Sequence, residues 1–143
     1  ALTAPVPKDA PKGGSETILL VEDDVDIREL VTDMLKAGGY EVLQAESTLA
    51  ALEVARTGST TIDLLLADII LPEMSGVELC ERVRASRPEI KRLYMTGYAG
   101  SELSRRGLLE SDAVILEKPF DENDLLASVR AVLDRKDSGS TSR

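Results

Sequence analysis

Five short apolar runs alternate along this chain with segments whose apolar residues recur at helical spacing. Apolar runs of this length are typical of buried strands, and the alternation favours crossover helices between them. Parallel strands require such crossovers, which are almost always right-handed, so the pattern predicts a parallel sheet with helices on both faces. The predicted strands are Thr17–Val21, Tyr40–Ala45, Ile62–Ala67, Lys91–Met95 and Ala113–Leu116.

The segments between these runs carry start and stop signals for five helices. The first is predicted from Val25 to Lys36, with Asp24 or Asp26 as its cap and two glycines, 38 and 39, as its stop. Its apolar positions are Ile27, Leu30, Val31, Met34 and Leu35. The other helices are predicted from a Ser47 cap to about Arg56, around Val77, Cys80 and Val83, over Ser101–Leu109, and after an Asp121 cap.

The length of 143 residues is that of a single domain. Residues 1–16 are rich in Pro and Gly and are predicted to be a flexible linker or tail. Residues 17–136 form the predicted folded domain, and residues 137–143, with the Ser-rich sequence DSGSTSR, a disordered tail. Aromatic residues make up only 3% of the chain, so the core is expected to be aliphatic.

The charge and the residue types that are missing exclude several classes of function. A formal net charge of -9 argues against nucleic acid and anionic membrane as partners of this domain. The chain has no His, which excludes a Cys/His zinc site and a His-based catalytic triad. The single cysteine, Cys80, cannot form an internal disulfide, and no apolar stretch reaches the ~20 residues of a membrane span. The cytoplasm is therefore the predicted compartment.

Acidic residues end two of the predicted strands. Glu22 and Asp23 follow the first apolar run, and Asp68 closes the third. In an open parallel sheet these ends share one edge, where such sheets bind their ligands. A pair of carboxylates there repels by roughly 4 kcal/mol at ~4 Å and an effective dielectric of 20, so the group needs a cation. Oxygen ligands without nitrogen or sulfur are suited to Mg²⁺ or Mn²⁺.

Two more polar residues are expected at the same edge, because Thr96 and Lys118 follow the fourth and fifth runs. An aspartate that attacks phosphorus needs its own charge and the phosphoryl charge neutralised, which a metal, an ammonium and hydroxyl donors supply. Taken singly, each such residue is more often a cap, a turn residue or a solvated side chain. Their order at four ends of one sheet favours a site in which Asp68 is both metal ligand and nucleophile.

Four motifs resemble the receiver domain of two-component response regulators. They are ILLVEDD (Ile18–Asp24), LLLADIILPEMSG (Leu64–Gly76), YMTGYAG (Tyr94–Gly100) and ILEKPF (Ile115–Phe120), in that family's order. The resemblance implies the flavodoxin-like fold with strand order 2-1-3-4-5. It also implies a signalling switch in which Asp68 takes a phosphoryl group from a histidine kinase or a histidine phosphotransfer domain. Such a domain catalyses its own phosphorylation and dephosphorylation.

The resemblance assigns a role to each residue at the predicted edge. It implies Asp23 and Asp68 as direct Mg²⁺ ligands, Glu22 as a ligand through water and the carbonyl of Ile70 as the backbone ligand. Thr96 and Lys118 are implied to hold the phosphoryl oxygens, helped by backbone amides near Ile69 and Gly97. The bond between Lys118 and Pro119 is expected to be cis.

The sequence departs from the family pattern at Ile115, where many members have Tyr or Phe. The aromatic ring that usually reports activation is therefore missing. TGYAG and EKPF are more similar to receivers fused to hybrid histidine kinases than to those joined to DNA-binding domains. A homodimer through the face built from the fourth predicted helix, the fifth strand and the fifth helix is a further expectation.

Two alternatives remain open from the residues themselves. The first is a Mg²⁺-dependent phosphatase that forms an aspartyl-phosphate. Such a phosphatase usually needs a second acid two residues after the nucleophile, and that position is Ile70. The second alternative is a receiver-like module that binds partners without phosphorylation. Such a module would be expected to have lost one of the five residues Glu22, Asp23, Asp68, Thr96 and Lys118, and all five are present.

Overall fold

The structure, a computed structural model, describes residues 14–57, 60–97 and 114–135. Five parallel strands form one sheet in the order β2-β1-β3-β4-β5. The strands are β1 (Thr17–Val21), β2 (Glu41–Ala45), β3 (Leu64–Asp68), β4 (Lys91–Thr96) and β5 (Ile115–Glu117). The described helices are α1 (Val25–Ala37), α2 (Thr48–Thr57), α3 (Gly76–Ser86) and α4 (Glu122–Asp134). The predicted α/β fold and its strand order are confirmed.

The sheet is buried on both faces, as its near-continuous apolar strands require. Leu19 and Val21 of β1 point into a core that includes buried residues of α2 and α3. Ile18 and Leu20 point to the opposite face, into a core with residues of α1 and α4. Of the helices that the structure describes, two therefore cover each face.

The predicted helix caps are observed with their hydrogen bonds. The Asp24 carboxylate accepts hydrogen bonds from the backbone N–H groups of Asp26 at 2.9 Å and Ile27 at 3.1 Å, so Asp24 rather than Asp26 caps α1. Ser47 accepts from the N–H of Ala50 at 3.1 Å at the start of α2. Asp121 caps α4 by accepting from the N–H of Asp124 at 2.8 Å. These bonds satisfy N–H groups that a helix start leaves without partners.

Several predictions of detail are wrong. The third strand begins at Leu64 rather than Ile62, because Asp63 bonds to the chain at Thr17 before the regular ladder starts, and it includes Asp68. The fifth strand continues to Glu117, one residue beyond the predicted end. Leu30, predicted on the buried stripe of the first helix, is 54% exposed, because that stripe is narrower than its apolar residues suggest. The core is also not purely aliphatic, since Tyr94 of β4 is fully buried.

Some predictions fall outside the described residues. These are the helix over Ser101–Leu109, the tail at residues 137–143 and the linker up to residue 13. The face predicted to form a homodimer includes that helix, so this prediction also lies in part outside the described residues. Among the helices that are described, none combines the length and the apolar character needed to cross a bilayer.

Candidate functional site

The predicted site residues lie at the carboxyl edge of the sheet. Glu22 directly follows β1, Asp68 is the last residue of β3, Thr96 is the last residue of β4, and Lys118 directly follows β5. The Lys118 Nζ atom lies 2.6 Å from Asp68 Oδ2 and 3.2 Å from Glu22 Oε1. The fold thus brings together side chains that are 50 and 96 residues apart in the chain.

Lys118 is the cation that compensates these two acids. Burial alone would lower the pKa of Lys118, but its hydrogen bond to Asp68 and the charges of Asp68 and Glu22 outweigh burial and raise it. The backbone N–H of Lys118 donates to the carbonyl of Thr96 at 2.7 Å, which ties the residue to the end of β4. The peptide bond to Pro119 is cis, as predicted. The ammonium is therefore charged and held over the edge of the sheet.

Glu22 is buried more deeply than any other acid at this edge, with 2% of its surface exposed. Burial raises the pKa of Glu22, and the N–H of Asp24 and the Lys118 ammonium oppose that shift. The N–H of Asp24 donates to Glu22 Oε2 at 3.2 Å, so both carboxylate oxygens have partners. A guanidinium group, that of Arg28, also donates to the backbone carbonyl of Glu22 at 2.8 Å. The position of Glu22 is therefore set by three hydrogen-bond donors, one at each carboxylate oxygen and one at the backbone carbonyl.

Asp68 is only 8% exposed, and each of its two carboxylate oxygens accepts a hydrogen bond. Oδ1 accepts a hydrogen bond from the N–H of Ile70 at 2.9 Å, and Oδ2 accepts from Lys118 at 2.6 Å. Hydrogen bonds to an ionised carboxylate are roughly twice as strong as those between neutral groups. The carboxylate is thus held in one orientation at the end of its strand, as expected of a nucleophile that must be aligned with its target atom.

The loop between β3 and α3 closes tightly against Asp68. The N–H of Gly76 donates to the carbonyl of Ile69 at 2.7 Å, and Ile70 and Ser75 form an antiparallel bridge. A Cβ atom on Gly76 would lie 2.4 Å from the carbonyl oxygen of Asp68. Only glycine permits this approach, so the motif residue Gly76 holds the loop beside the acid.

Asp23 lies next to Glu22 with an exposed side chain. In the described ranges, no three Asp, Glu, His or Cys side chains come close enough together to hold a metal ion. The chemistry of the donors nevertheless fits a hard cation, since Asp23, Asp68 and the Ile70 carbonyl offer oxygen only. Ile70 stands directly after the loop's first residue, and its N–H already contacts Asp68.

Comparison with known proteins identifies the family. The family model of the response regulator receiver domain matches residues 18–130. This chain is a member of the response regulator receiver domain family. The family predicted from the four motifs is confirmed, and with it a role as a signalling module in two-component systems.

Relatives of this receiver domain include both small regulators and large kinases. The response regulator receiver protein CpdR of Brucella abortus is 36% identical over 116 residues, which cover 81% of this chain and 95% of CpdR. Sensor kinase CckA of the same organism is 33% identical over 124 residues, covering 87% of this chain but only 13% of CckA. A CheY-like receiver domain from Methanospirillum hungatei is 34% identical with a TM-score of 0.72, covering 85% of this chain and 95% of that chain.

Proposed function

We propose that this receiver domain accepts a phosphoryl group on Asp68 from the phosphohistidine of a histidine kinase or a histidine phosphotransfer domain, with Mg²⁺ as cofactor. The observation that carries the proposal is the environment of Asp68. Its nearly buried carboxylate is held by the Lys118 ammonium at one oxygen and by the Ile70 N–H at the other. The site stands at the carboxyl edge of an open parallel sheet, the ligand-binding edge of such folds.

The chemistry is nucleophilic substitution at phosphorus. A carboxylate oxygen of Asp68 forms a bond to the phosphorus, and the phosphorus–nitrogen bond breaks, with the electron pair returning to the imidazole nitrogen of the donor. The transferred group carries charge on its three outer oxygens, so the site must supply positive charge and hydrogen-bond donors. Lys118 supplies an ammonium within reach, and Thr96 supplies a hydroxyl at the end of the adjacent strand.

A hard metal ion would complete the compensation of charge. When bound, Mg²⁺ neutralises charge on the carboxylates and on the phosphoryl oxygens. Asp23, Asp68 and the Ile70 carbonyl would hold it directly and Glu22 through water. In the structure described above, the Lys118 ammonium compensates negative charge at this edge through its ion pairs with Asp68 and Glu22.

The coverage of the relatives bears on the whole protein. Because the chain spans 13% of CckA and 95% of CpdR, the domain is compatible with a module of a hybrid sensor kinase or with a stand-alone regulator. The motifs TGYAG and EKPF favour the hybrid kinase. We propose the cytoplasm as its compartment, since the phosphoryl donors of such domains are made there.

Incubation with a small phosphodonor tests the proposal without a cognate kinase. With Mg²⁺ present, intact mass should show one added phosphoryl group, and a chelator should prevent the addition. Asp68→Asn should stay unmodified, whereas Asp63→Asn, which alters an acid at the opposite end of β3, should be modified like the wild type. Modification that proceeds equally well in the chelator would contradict the metal dependence.

A further inference from the structure

A hydrogen bond joins the loop after the phosphoacceptor strand to the helix beside it. The hydroxyl of Thr48, the first residue of α2, donates to Glu73 Oε1 at 2.9 Å. Thr48 is fully buried, while Glu73 belongs to the exposed tip of the β3–α3 loop. The two residues are 25 positions apart, so this contact exists only because the fold brings the loop to the helix start.

The start of α2 is a favourable place for the Glu73 carboxylate. The first turn of α2 contains no acidic residue of its own. A helix N-terminus carries partial positive charge, and an anion beside it is stabilising. Glu73 therefore supplies from another element the negative charge that α2 lacks, in addition to its hydrogen bond with Thr48.

The rest of the loop links Glu73 to the proposed metal site. At its base, Gly76 bonds to Ile69 and Ser75 pairs with Ile70, so the two ends of the loop move together. Between base and tip, Leu71 is packed in the core, and the residue after it is Pro72, whose φ angle is fixed by its ring. A shift of Glu73 at the tip is therefore transmitted to Ile70 through a short and stiff segment.

We propose that Glu73 and Thr48 are positioning residues for the metal site of this domain. Their hydrogen bond braces the β3–α3 loop against α2 and so keeps the Ile70 carbonyl aligned with Asp68. This inference rests on the proposed function, because the Ile70 carbonyl is a ligand only if the site binds Mg²⁺. Outer hydrogen-bond partners of metal ligands act in the same way in other metal sites.

The test is a titration of the purified domain with Mg²⁺ alone. Calorimetry measures the affinity, and the NMR chemical shift of the Ile70 amide reports binding at the loop. Thr48→Val keeps the shape and charge but removes the hydroxyl, and it should weaken Mg²⁺ binding by about tenfold, the lower end of the effect of losing such a partner. Thr48→Ser keeps the hydroxyl and should bind Mg²⁺ like the wild type, although it loses a buried methyl group. Thermal unfolding of both variants separates this effect from stability.

Variants of Glu73 provide the second arm. Glu73→Ala should weaken Mg²⁺ binding as Thr48→Val does. The double variant should bind Mg²⁺ with the same affinity as either single variant, since both substitutions remove the same hydrogen bond. Glu53→Ala is the matched control, because it removes one negative charge from the exposed surface of α2 and leaves the loop untouched. Its affinity should equal that of the wild type.

The possible results separate this inference from the proposed function. Wild-type affinity in Thr48→Val, or equal weakening in Thr48→Ser and Thr48→Val, would overturn the positioning role while leaving the metal site in place. A wild-type protein that binds no Mg²⁺ would overturn the metal dependence of the proposed function, and the positioning role with it. Weakening in Glu53→Ala equal to that in Glu73→Ala would show a general effect of charge and also overturn the inference.

Discussion

Replacing Arg130 with Met should destabilise the fold, because it removes an ion pair that joins the start of the first strand to the last helix. Arg130 of α4 donates to both carboxylate oxygens of Glu16, with Nη2–Oε2 at 2.7 Å and Nη1–Oε1 at 3.2 Å. It also donates to the hydroxyl oxygen of Tyr40 at 3.3 Å and pairs with Asp134 at 2.9 Å. Glu16 immediately precedes β1, so the pair fastens the entry of the first strand to the last helix.

The expected loss follows from the exposure and geometry of the pair. The side chains of Arg130 and Glu16 are 19% and 30% exposed, so solvent screens the pair only in part. Fully exposed pairs contribute about 0.2–1 kcal/mol, and the two-pronged geometry with partial burial places this one near the upper end. With the bond to the Tyr40 hydroxyl lost as well, Arg130→Met should lower the free energy of unfolding by about 1–2 kcal/mol.

The same effect should depend on pH in a defined direction. The side-chain hydrogen bond with Arg130 lowers the pKa of Glu16 below its usual 4.5. A carboxyl group with a lowered pKa in the folded state contributes stability that is present above its unfolded pKa and lost as pH falls through its folded pKa. The part of the Arg130→Met deficit that comes from Glu16 should therefore be full at neutral pH and shrink well below pH 4.5.

A double-mutant cycle in urea denaturation measures the coupling free energy between Arg130 and Glu16. It compares the wild type with Arg130→Met, with Glu16→Gln and with the double variant. The cycle should give about 1 kcal/mol at neutral pH and clearly less in acid. Arg82→Met is the matched control, because its pair with Glu78 has a similar distance of 2.8 Å but side chains that are 55% and 49% exposed. A coupling of zero at neutral pH, or one unchanged in acid, would show that the ion pair of Glu16 with Arg130 is not the source of this stability.

Three further predictions concern the site. Asp23→Asn should weaken Mg²⁺ binding by about tenfold or more, the effect expected for loss of a proposed carboxylate ligand, and should not lower metal-free stability, because it removes one negative charge next to Glu22; unchanged affinity in a titration would contradict the ligand role. Gly76→Ala should destabilise the fold by about 1–3 kcal/mol in urea denaturation, because its Cβ atom would meet the Asp68 carbonyl oxygen at 2.4 Å; a gain, as helix propensity alone predicts, would show that the backbone yields. Ile70→Asn should quicken loss of the phosphoryl group, because an apolar side chain two residues after Asp68 offers the attacking water no group to orient it, whereas a polar side chain there does; decay at the wild-type rate would contradict this role of Ile70.

The fold was predictable because its strands are buried on both faces. Such strands appear as apolar runs that stand out between amphipathic helices, and parallel pairing leaves few ways to connect them. Boundaries were less accurate, since burial and ladder pairing are different properties. Ile62 is buried but precedes β3, and apolar spacing did not reveal that Leu30 faces outward.

The sequence predicted only those site residues that lie at the ends of strands. Asp68 and Lys118 were expected to meet because each ends a strand of one sheet, and their side chains are 2.6 Å apart. The bond of Thr48 to Glu73 joins a helix start to a loop tip, and no periodicity or motif in the sequence encodes such a contact. The same holds for the pair of Arg130 with Glu16, which are 114 residues apart.

The most direct test of the central claim is to locate the phosphoryl group chemically. After phosphorylation with a small phosphodonor and Mg²⁺, reduction of the acyl phosphate by borohydride converts the modified aspartate to homoserine, which peptide mass spectrometry can place. Phosphorylation of Asp68 alone should give homoserine at that position and at no other acid. Homoserine at Asp23, or labelling that persists in Asp68→Asn, would contradict it.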